Sequence, residues 1–312
     1  MNIVLQYRAS AGFRAQIAEL FGDAVEIIAE DERAAFAAAM ARAEVLLHVQ
    51  EPVTAGVIAA APRLALIQKL GVGVNTIDLD AAARAGVAVC NMPGTNSQAV
   101  AEMALSLMLA VLRRTLYFDA LTRSGRGWLP DSAVLDGVGE IGGRTVGLVG
   151  FGDSARRLAP VLTALGARVL YTARSEASDA PGAFRRLETL LGEADIVSLH
   201  APLTDETRGL IGRSALALMK PGAILINTAR GGLVDEAALL EALQSGRLRG
   251  AGLDVFDREP AVAAHPLFAL PQIVVAPHLA WLTPETLQRS LVVAAQNCRR
   301  LSAGEALVHR VI

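Results

Sequence analysis

Short runs of aliphatic and β-branched residues alternate with alanine-rich segments along almost the whole of this chain. In the first third the strand-like runs are Ile3–Gln6, Val25–Ile28, Val45–Val49, Leu64–Lys69 and Val87–Cys90. Helical patterns fall between them, near 12–20, 32–42, 54–60 and 78–85. The rhythm resumes at residue 145 with Thr145–Val149, Arg168–Tyr171, Ile196–Leu199, Ala223–Ile226, Gly250–Asp254 and Ile273–Val275. These runs do not alternate apolar with polar, which is the pattern of parallel strands covered by helices on both faces. The periodicity predicts two doubly wound α/β units and no short repeat. A boundary is expected near Pro93–Gly94, ahead of a helical run from Ala99 to Arg113. Residues 115–139 break the rhythm, and Gly125, Gly127, Trp128 and Pro130 make them read as an irregular excursion. From Pro284 through Arg300 the pattern is helical with no strand left to cover, so this segment is expected to return to the first unit. The expected domains are 1–94 with 285–312, and 95–284.

Composition narrows the classes. A length of 312 residues fits two domains at about 150 residues each. Apolar residues make up 53% and charged residues 19%, which suits a large aliphatic core and argues against disorder. Lys and Arg number 29 against 31 Asp and Glu, with no single-sign block, so neither nucleic acid nor a membrane surface gains electrostatic support. Residues 261–284 are the longest uncharged stretch, but Pro266, Pro271, Pro277 and Pro284 interrupt it, and it does not read as a membrane span. Two cysteines make no disulfide framework, and MNIVLQYRAS reads as a first strand rather than a signal peptide. A cytoplasmic, reducing location is expected. No ligand cluster stands at zinc spacing, so no metal is expected.

The run from Thr145 to Ala155 places G-x-G-x-x-A between a strand and a helix. Gly150 permits the tight turn, and Gly152 lets a pyrophosphate approach backbone N–H groups at the helix N-terminus. Asp153 sits beside that expected pyrophosphate and is read as a helix cap, with Arg156 or Arg157 offsetting its charge. An NAD site places an acid about 20 residues past the first glycine. Here the second strand ends Tyr171-Thr172-Ala173-Arg174-Ser175. Arg174 can bind a 2′-phosphate through charge-assisted bonds, and Thr172 or Ser175 can donate to it. NADP(H) is therefore the preferred cofactor expectation, with NAD(H) possible.

Polar groups punctuate the ends of the later strands, where a doubly wound sheet binds its ligand. His200 follows one strand, Asn227, Thr228 and Arg230 the next, Asp254 and Glu259 a third, and His278 a fourth. Each alone has an ordinary packing or surface reading; their joint occurrence at strand ends is what points to chemistry. Arg230 offers a bidentate fork for a carboxylate or a developing alkoxide. His278 suits proton donation, and an adjacent ionised Glu259 would favour its imidazolium and fix one tautomer. His200 is read as shaping the adenine side of the cleft, and Lys69, His48 and Trp281 as packing or surface residues.

These residues resemble the D-isomer-specific 2-hydroxyacid dehydrogenase family over nearly the whole chain. The matching segments are Leu70–Asp78, Asn91–Asn96 with Val100-Ala-Glu102, the glycine loop, His200–Thr204, Met219–Gly222, Asn227–Gly231, Gly252–Val255, Glu259-Pro260 and Pro277-His278. The resemblance implies a Rossmann cofactor domain, a flavodoxin-like substrate domain built from both termini, and a homodimer formed through the cofactor domain and residues 115–139. It implies Arg230, Glu259 and His278 as the catalytic set, with backbone groups of Val72 and Gly73 holding the substrate carboxylate beside Arg230. It gives Asp254 to the nicotinamide carboxamide, and Asp153, Ser154, Pro202, Thr207 and Thr228 to the dinucleotide. Asn75, Ala155 and Ala280-Trp281 depart from the usual pattern, and Trp281 is expected to disfavour large substrate side chains. The Tyr-Thr-Ala-Arg string is similar to that of NADPH-preferring glyoxylate/hydroxypyruvate reductases. The expected partner is a small 2-oxo or 2-hydroxy acid. A dinucleotide-sensing protein of the corepressor type is one alternative. Another is an NAD-linked dehydrogenase of a different 2-hydroxy acid, such as phosphoglycerate. That branch is expected to add basic residues near the substrate loop and a regulatory domain, and no such domain is expected after residue 312.

Overall fold

The computed structural model describes residues 1–128 and 132–312, and Pro130 lies outside the described residues. The chain divides into two units, Met1–Asn96 with Trp281–Ile312 and Ser97–Ala280. The first begins β1 (Ile3–Gln6), α1 (Ala11–Phe21), β2 (Val25–Ile28), α2 (Arg33–Met40), β3 (Val45–His48), α3 (Ala55–Ala59), β4 (Leu66–Lys69), α4 (Leu79–Arg84) and β5 (Ala88–Cys90). The second runs α5 (Ser97–Arg113), α6 (Thr115–Arg123), α7 (Ser132–Leu135), β6 (Thr145–Val149), α8 (Asp153–Ala164), β7 (Arg168–Thr172), β8 (Ala183–Phe184) and α9 (Leu187–Glu193). It continues with β9 (Ile196–Leu199), α10 (Arg213–Leu218), β10 (Ala223–Asn227), α11 (Glu236–Gln244), β11 (Leu248–Leu253) and β12 (Ile273–Val275). A last helix, α12 (Pro284–Ala303), belongs to the first unit.

In the first unit five parallel strands are ordered β2-β1-β3-β4-β5, the flavodoxin-like order. The two-residue period of a strand sends neighbours to opposite faces. Leu5, Val45, Leu47 and Leu66 pack into one core. Val4, Leu46, Ile67 and Val89 pack into another. Continuous apolar runs are needed because both faces are dry. α12 supplies Leu287, Leu291, Ala294 and Cys298 to the first core, a stripe at helical spacing. The Thr283 hydroxyl caps that helix at Thr286 N (3.1 Å), and Pro284 occupies its first turn. Its buried Asn297 donates to Gln68 Oε1 on β4 (2.7 Å) and accepts from Val308 N (2.9 Å), so the polar group in this core is fully used.

In the second unit, among the described residues, seven parallel strands are ordered β12-β11-β10-β9-β6-β7-β8. From β6 the chain builds outward through β7 and β8, then crosses to the other side with β9. The strand order reverses between β6 and β9, and a crevice opens beyond their carboxyl ends. Val149, Leu199 and Leu225 pack on one face, while Leu148, Ile196 and Ile224 pack on the other with α5 residues Ala104, Leu107 and Met108.

The expected irregular excursion is corrected in part. Thr115–Arg123 forms α6, whose Arg123 Nε donates to Asp119 one turn earlier (2.8 Å). Glycines further along the segment outweighed that local helical pattern in the sequence reading. β8 has two residues, too few for a periodic signal. No described helix is long and apolar enough to cross a membrane.

Candidate active site

The glycine loop follows β6 directly. Gly150 has φ +92°, and a Cβ there would stand 2.6 Å from backbone atoms of His200 and Ala201, so the turn and the close approach of the β9 end both require glycine. A Cβ on Gly152 would meet nothing within 4 Å, leaving open space before the N-terminus of α8. Ala155 is fully buried against the sheet, where a larger residue would push the helix away. Gly152, not Asp153, is the cap residue, and no side chain caps α8. Asp153 instead begins the helix. The arginines expected to offset it are engaged elsewhere: Arg156 with Asp179 (2.9 Å) and over the Phe151 ring, and Arg157 with Gln98 (3.3 Å).

Ser154 on α8 and Ser198 on β9 hold the two ring nitrogens of His200, Nδ1 at 3.1 Å and Nε2 at 3.0 Å. Desolvation pushes this imidazole down to about 4, so it is neutral at physiological pH. One serine donates to the ring and the other accepts from it. At the end of β7, Thr172 O accepts from Gly150 N (2.9 Å), tying the two strand ends together. The Tyr171 hydroxyl accepts from Ala177 N (2.8 Å) and donates to Ala177 O (3.2 Å), closing a loop on which Arg174, Ser175 and Glu176 are exposed. Pro202 and Thr207 lie in one fastened turn, with Thr207 Oγ1 donating to Pro202 O (2.7 Å).

Asn227 ends β10 buried and shapes the next turn, donating to Arg230 O (2.9 Å) and accepting from Ala229 N (3.0 Å). Thr228 Oγ1 is buried with no hydrogen-bond partner. Such an orphaned hydroxyl is costly unless a ligand completes it. The open space before Gly152 and the uncapped N-terminus of α8 fit a dinucleotide phosphate chain. Among the described residues no cluster of His, Cys, Asp or Glu could hold a metal.

Two turns then meet. A Cβ on Gly231 would lie 1.9 Å from the Phe256 carbonyl carbon, so the Arg230 turn rests directly on backbone Phe256–Asp257. Glu259 Oε1 accepts from Phe256 N (2.9 Å), and Glu236 Oε1 accepts from Asp257 N (2.8 Å). His265 Nε2 stands 3.2 Å from the second oxygen of Glu236. Sequence reasoning overlooked Glu236 and placed Asn227 only among the polar groups at strand ends, because their function is to fix backbone, and an acid or amide at a helix start or strand end carries no signal of that.

Glu259 Oε2 lies 2.6 Å from His278 Nδ1. An ionised carboxylate can only accept, so Nδ1 carries the proton and Nε2 is the nitrogen for proton exchange. Burial alone would raise the Glu259 carboxyl; the His278 hydrogen bond and charge, the Phe256 N–H and the Arg230 charge outweigh it and hold the group below the usual glutamate range. Desolvation draws the half-buried Arg230 guanidinium below its ordinary value, and the Glu259 charge pulls the other way. Arg230 Nη1 donates to Ala229 O (2.6 Å).

His278 itself adopts φ +57°, a strained conformation for a side-chain-bearing residue. Asp254 maintains it. The Asp254 carbonyl accepts from His278 N (2.7 Å), and the two carboxylate oxygens accept from Leu279 N and Ala280 N (2.8 Å each). Its side chain is fully buried. The expectation gave Asp254 to the nicotinamide carboxamide. In the structure its carboxylate clamps the histidine turn, where two N–H groups need a buried acceptor.

In the first unit, Val72 and Gly73 lie on the turn after β4, with Val72 exposed and its carbonyl accepting from Asn91 Nδ2 (3.0 Å). Trp281 packs partly buried against that unit's core.

The family model for the D-isomer specific 2-hydroxyacid dehydrogenase, NAD binding domain, matches residues 105–280. The chain belongs to this family. Within the D-2-hydroxyacid dehydrogenases it is 42% identical over 268 residues to a glyoxylate reductase of Aeropyrum pernix, covering 82% of this chain and 79% of that protein. It is 43% identical to D-3-phosphoglycerate dehydrogenase of Mycobacterium leprae over 91% of this chain but 54% of that protein, so it spans about half of that relative's length. Among solved structures, NAD-dependent formate dehydrogenase of Staphylococcus aureus with NAD has TM-score 0.90 at 27% identity, covering 100% of this chain and 99% of that chain. The NADPH-dependent glyoxylate/hydroxypyruvate reductase of Sinorhizobium meliloti with NADP and malonate has TM-score 0.84 at 28% identity, covering 99% and 96%. The two parallel-sheet α/β domains of this chain are those of dehydrogenases in this family.

Proposed function

We propose that this dehydrogenase reduces a small 2-oxo acid of the glyoxylate or hydroxypyruvate type to the D-2-hydroxy acid, with NADPH preferred over NADH. The observation that carries the reading is the 2.6 Å pairing of His278 Nδ1 with Glu259, beside an Arg230 that feels the same carboxylate. The nicotinamide, when bound, supplies the hydride to the carbonyl carbon of the oxo acid. Arg230 orients the carboxylate and polarises the carbonyl oxygen. His278 delivers a proton from Nε2 to the developing alkoxide, and Glu259 stabilises the imidazolium that precedes that transfer. A dinucleotide sensor would have no use for such a proton donor, which favours the enzyme over the corepressor alternative.

Backbone groups of Val72 and Gly73 are assigned to the substrate carboxylate in the same reading. Gly150, Gly152, Asp153, Ser154, Pro202, Thr207, Thr228 and Asp254 are assigned to the dinucleotide. The NADPH preference rests on Thr172, Arg174 and Ser175, with no acid at the end of β7. A cytoplasmic homodimer completes the proposal; exposed Leu109, Leu116, Trp128 and Leu135 support pairing through the second unit.

Glyoxylate, hydroxypyruvate, pyruvate and phenylpyruvate assayed side by side with each reduced nucleotide test the substrate class. The first two are expected to give the highest kcat/KM, and a preference for phenylpyruvate would refute it. Arg174→Asp is expected to weaken NADPH relative to NADH by about 10-fold or more. An unchanged ratio would remove the basis for the NADPH assignment.

A further inference from the structure

A cavity of about 110 Å³ opens at the amino-terminal edge of the second unit's sheet, the edge opposite the strand ends that carry Arg230 and His278. Arg114, Tyr117, Arg249 and Gln272 bring polar groups to it, and Val111 and Ile273 line it with apolar surface. Arg114 joins α5 to α6 with φ +51°, a conformation that long side chains rarely adopt. Its guanidinium lies over the Tyr117 ring at 5.1 Å.

Arg249, on the second residue of β11, and Arg144, just before β6, approach the same place. A Cβ on Gly139 would be 2.6 Å from Arg144 Nη2 and 3.6 Å from Arg249 Nη2, and one on Gly137 would be 3.2 Å from Arg114 Nη1. Three guanidinium groups thus lie against the short stretch Gly137–Gly139.

The charge of Asp195 reaches Arg144, but its carboxylate oxygens already accept from Lys220 Nζ (3.0 Å) and Thr145 N (2.8 Å). Arg249 Nη2 is buried without a hydrogen-bond partner. Burial disfavours its cation, and the charges of Arg144 and Arg114 disfavour it further. Arg144 Nε donates to a neutral carbonyl, Glu140 O, at 2.6 Å. Clustered cations with an unmet buried donor are the chemistry of an anion site.

We infer that Arg114, Arg144 and Arg249 form a binding site for a multivalent oxyanion, inorganic phosphate or a small organic phosphate, separate from the dinucleotide crevice. The inference stands whether or not the proposed reaction is correct, because none of its residues belongs to the glycine loop or to the Arg230–Glu259–His278 set.

The test uses the full chain with saturating coenzyme, which keeps the probe from the glycine loop. Thermal melting is followed as inorganic phosphate is titrated against chloride of equal ionic strength. Phosphate is expected to raise Tm saturably. Arg249→Gln is expected to raise the phosphate concentration needed by about 10-fold or more, with turnover unchanged; Arg114→Gln should act the same way. Equal effects of phosphate and chloride, or a phosphate response that survives both substitutions, would overturn the site. Sedimentation of the same proteins separates a second source of negative charge. A wild type indifferent to phosphate, with an Arg249→Gln protein that loses its oligomeric state, would mean that a carboxylate of a second copy fills the cluster, and would also overturn the inference.

Discussion

His278 illustrates how much of this site is built by residues that do no chemistry. Its backbone sits at φ +57°, and Asp254 holds that conformation through its carbonyl and both carboxylate oxygens. The sequence made His278, Glu259 and Arg230 legible because reactive side chains stood at the ends of strands. It did not reveal the clamp, since an acid at a strand end reads equally well as a ligand contact. Gly231 was legible only as part of a family string, and its physical reason is steric: a Cβ would sit 1.9 Å from the Phe256 carbonyl carbon. Gly231→Ala must therefore separate the turn carrying Arg230 from the one pinned by Glu259. It is expected to destabilise the second unit by about 1–3 kcal/mol in urea unfolding and to lower kcat as well. Unchanged stability would show that the contact is not maintained in solution.

At the scale of elements, long aliphatic runs marked the strands reliably, because a strand dry on both faces must be apolar throughout. Signals that depend on one or two residues were less visible. β8 is too short to have a period, α6 was obscured by neighbouring glycines, and the cap of α8 fell on Gly152 rather than Asp153. His200 joins β9 to α8 through Ser198 and Ser154, and its burial has a measurable consequence. Folded, it stays neutral down to about 4; unfolded, it takes a proton near its ordinary value of 6.5. Between those values the unfolded chain binds more protons. Stability from this group therefore falls as pH drops from 6.5 to about 4, at up to ~1.4 kcal/mol per pH unit, and levels off below. His48 adds a similar loss in the first unit, continuing to about 3. Urea unfolding at pH 7, 5.5 and 4.5 is expected to show this slope, and His200→Gln to flatten it for the second unit. An equally steep slope in the variant would assign the effect to other groups.

For the molecule as a whole, the two sheet orders carry the functional argument. The second unit's order reverses between β6 and β9, and the glycine loop and His200 stand at the carboxyl ends of those two strands. Residues more than a hundred positions apart thereby serve one crevice of one unit, which is why a reading of strand ends could find them. The arginine cluster at the opposite edge escaped that reading, since the positions of Arg114, Arg144 and Arg249 follow no common spacing.

The most direct test of the central claim is His278→Ala, comparing kcat for glyoxylate with the Kd for NADPH on the same protein. Loss of a positioned proton donor is expected to lower kcat by about 10²–10⁴-fold while the coenzyme Kd stays where it was. Near-normal turnover, or a loss of coenzyme affinity as large as the loss of rate, would contradict the assignment of His278 as the proton donor.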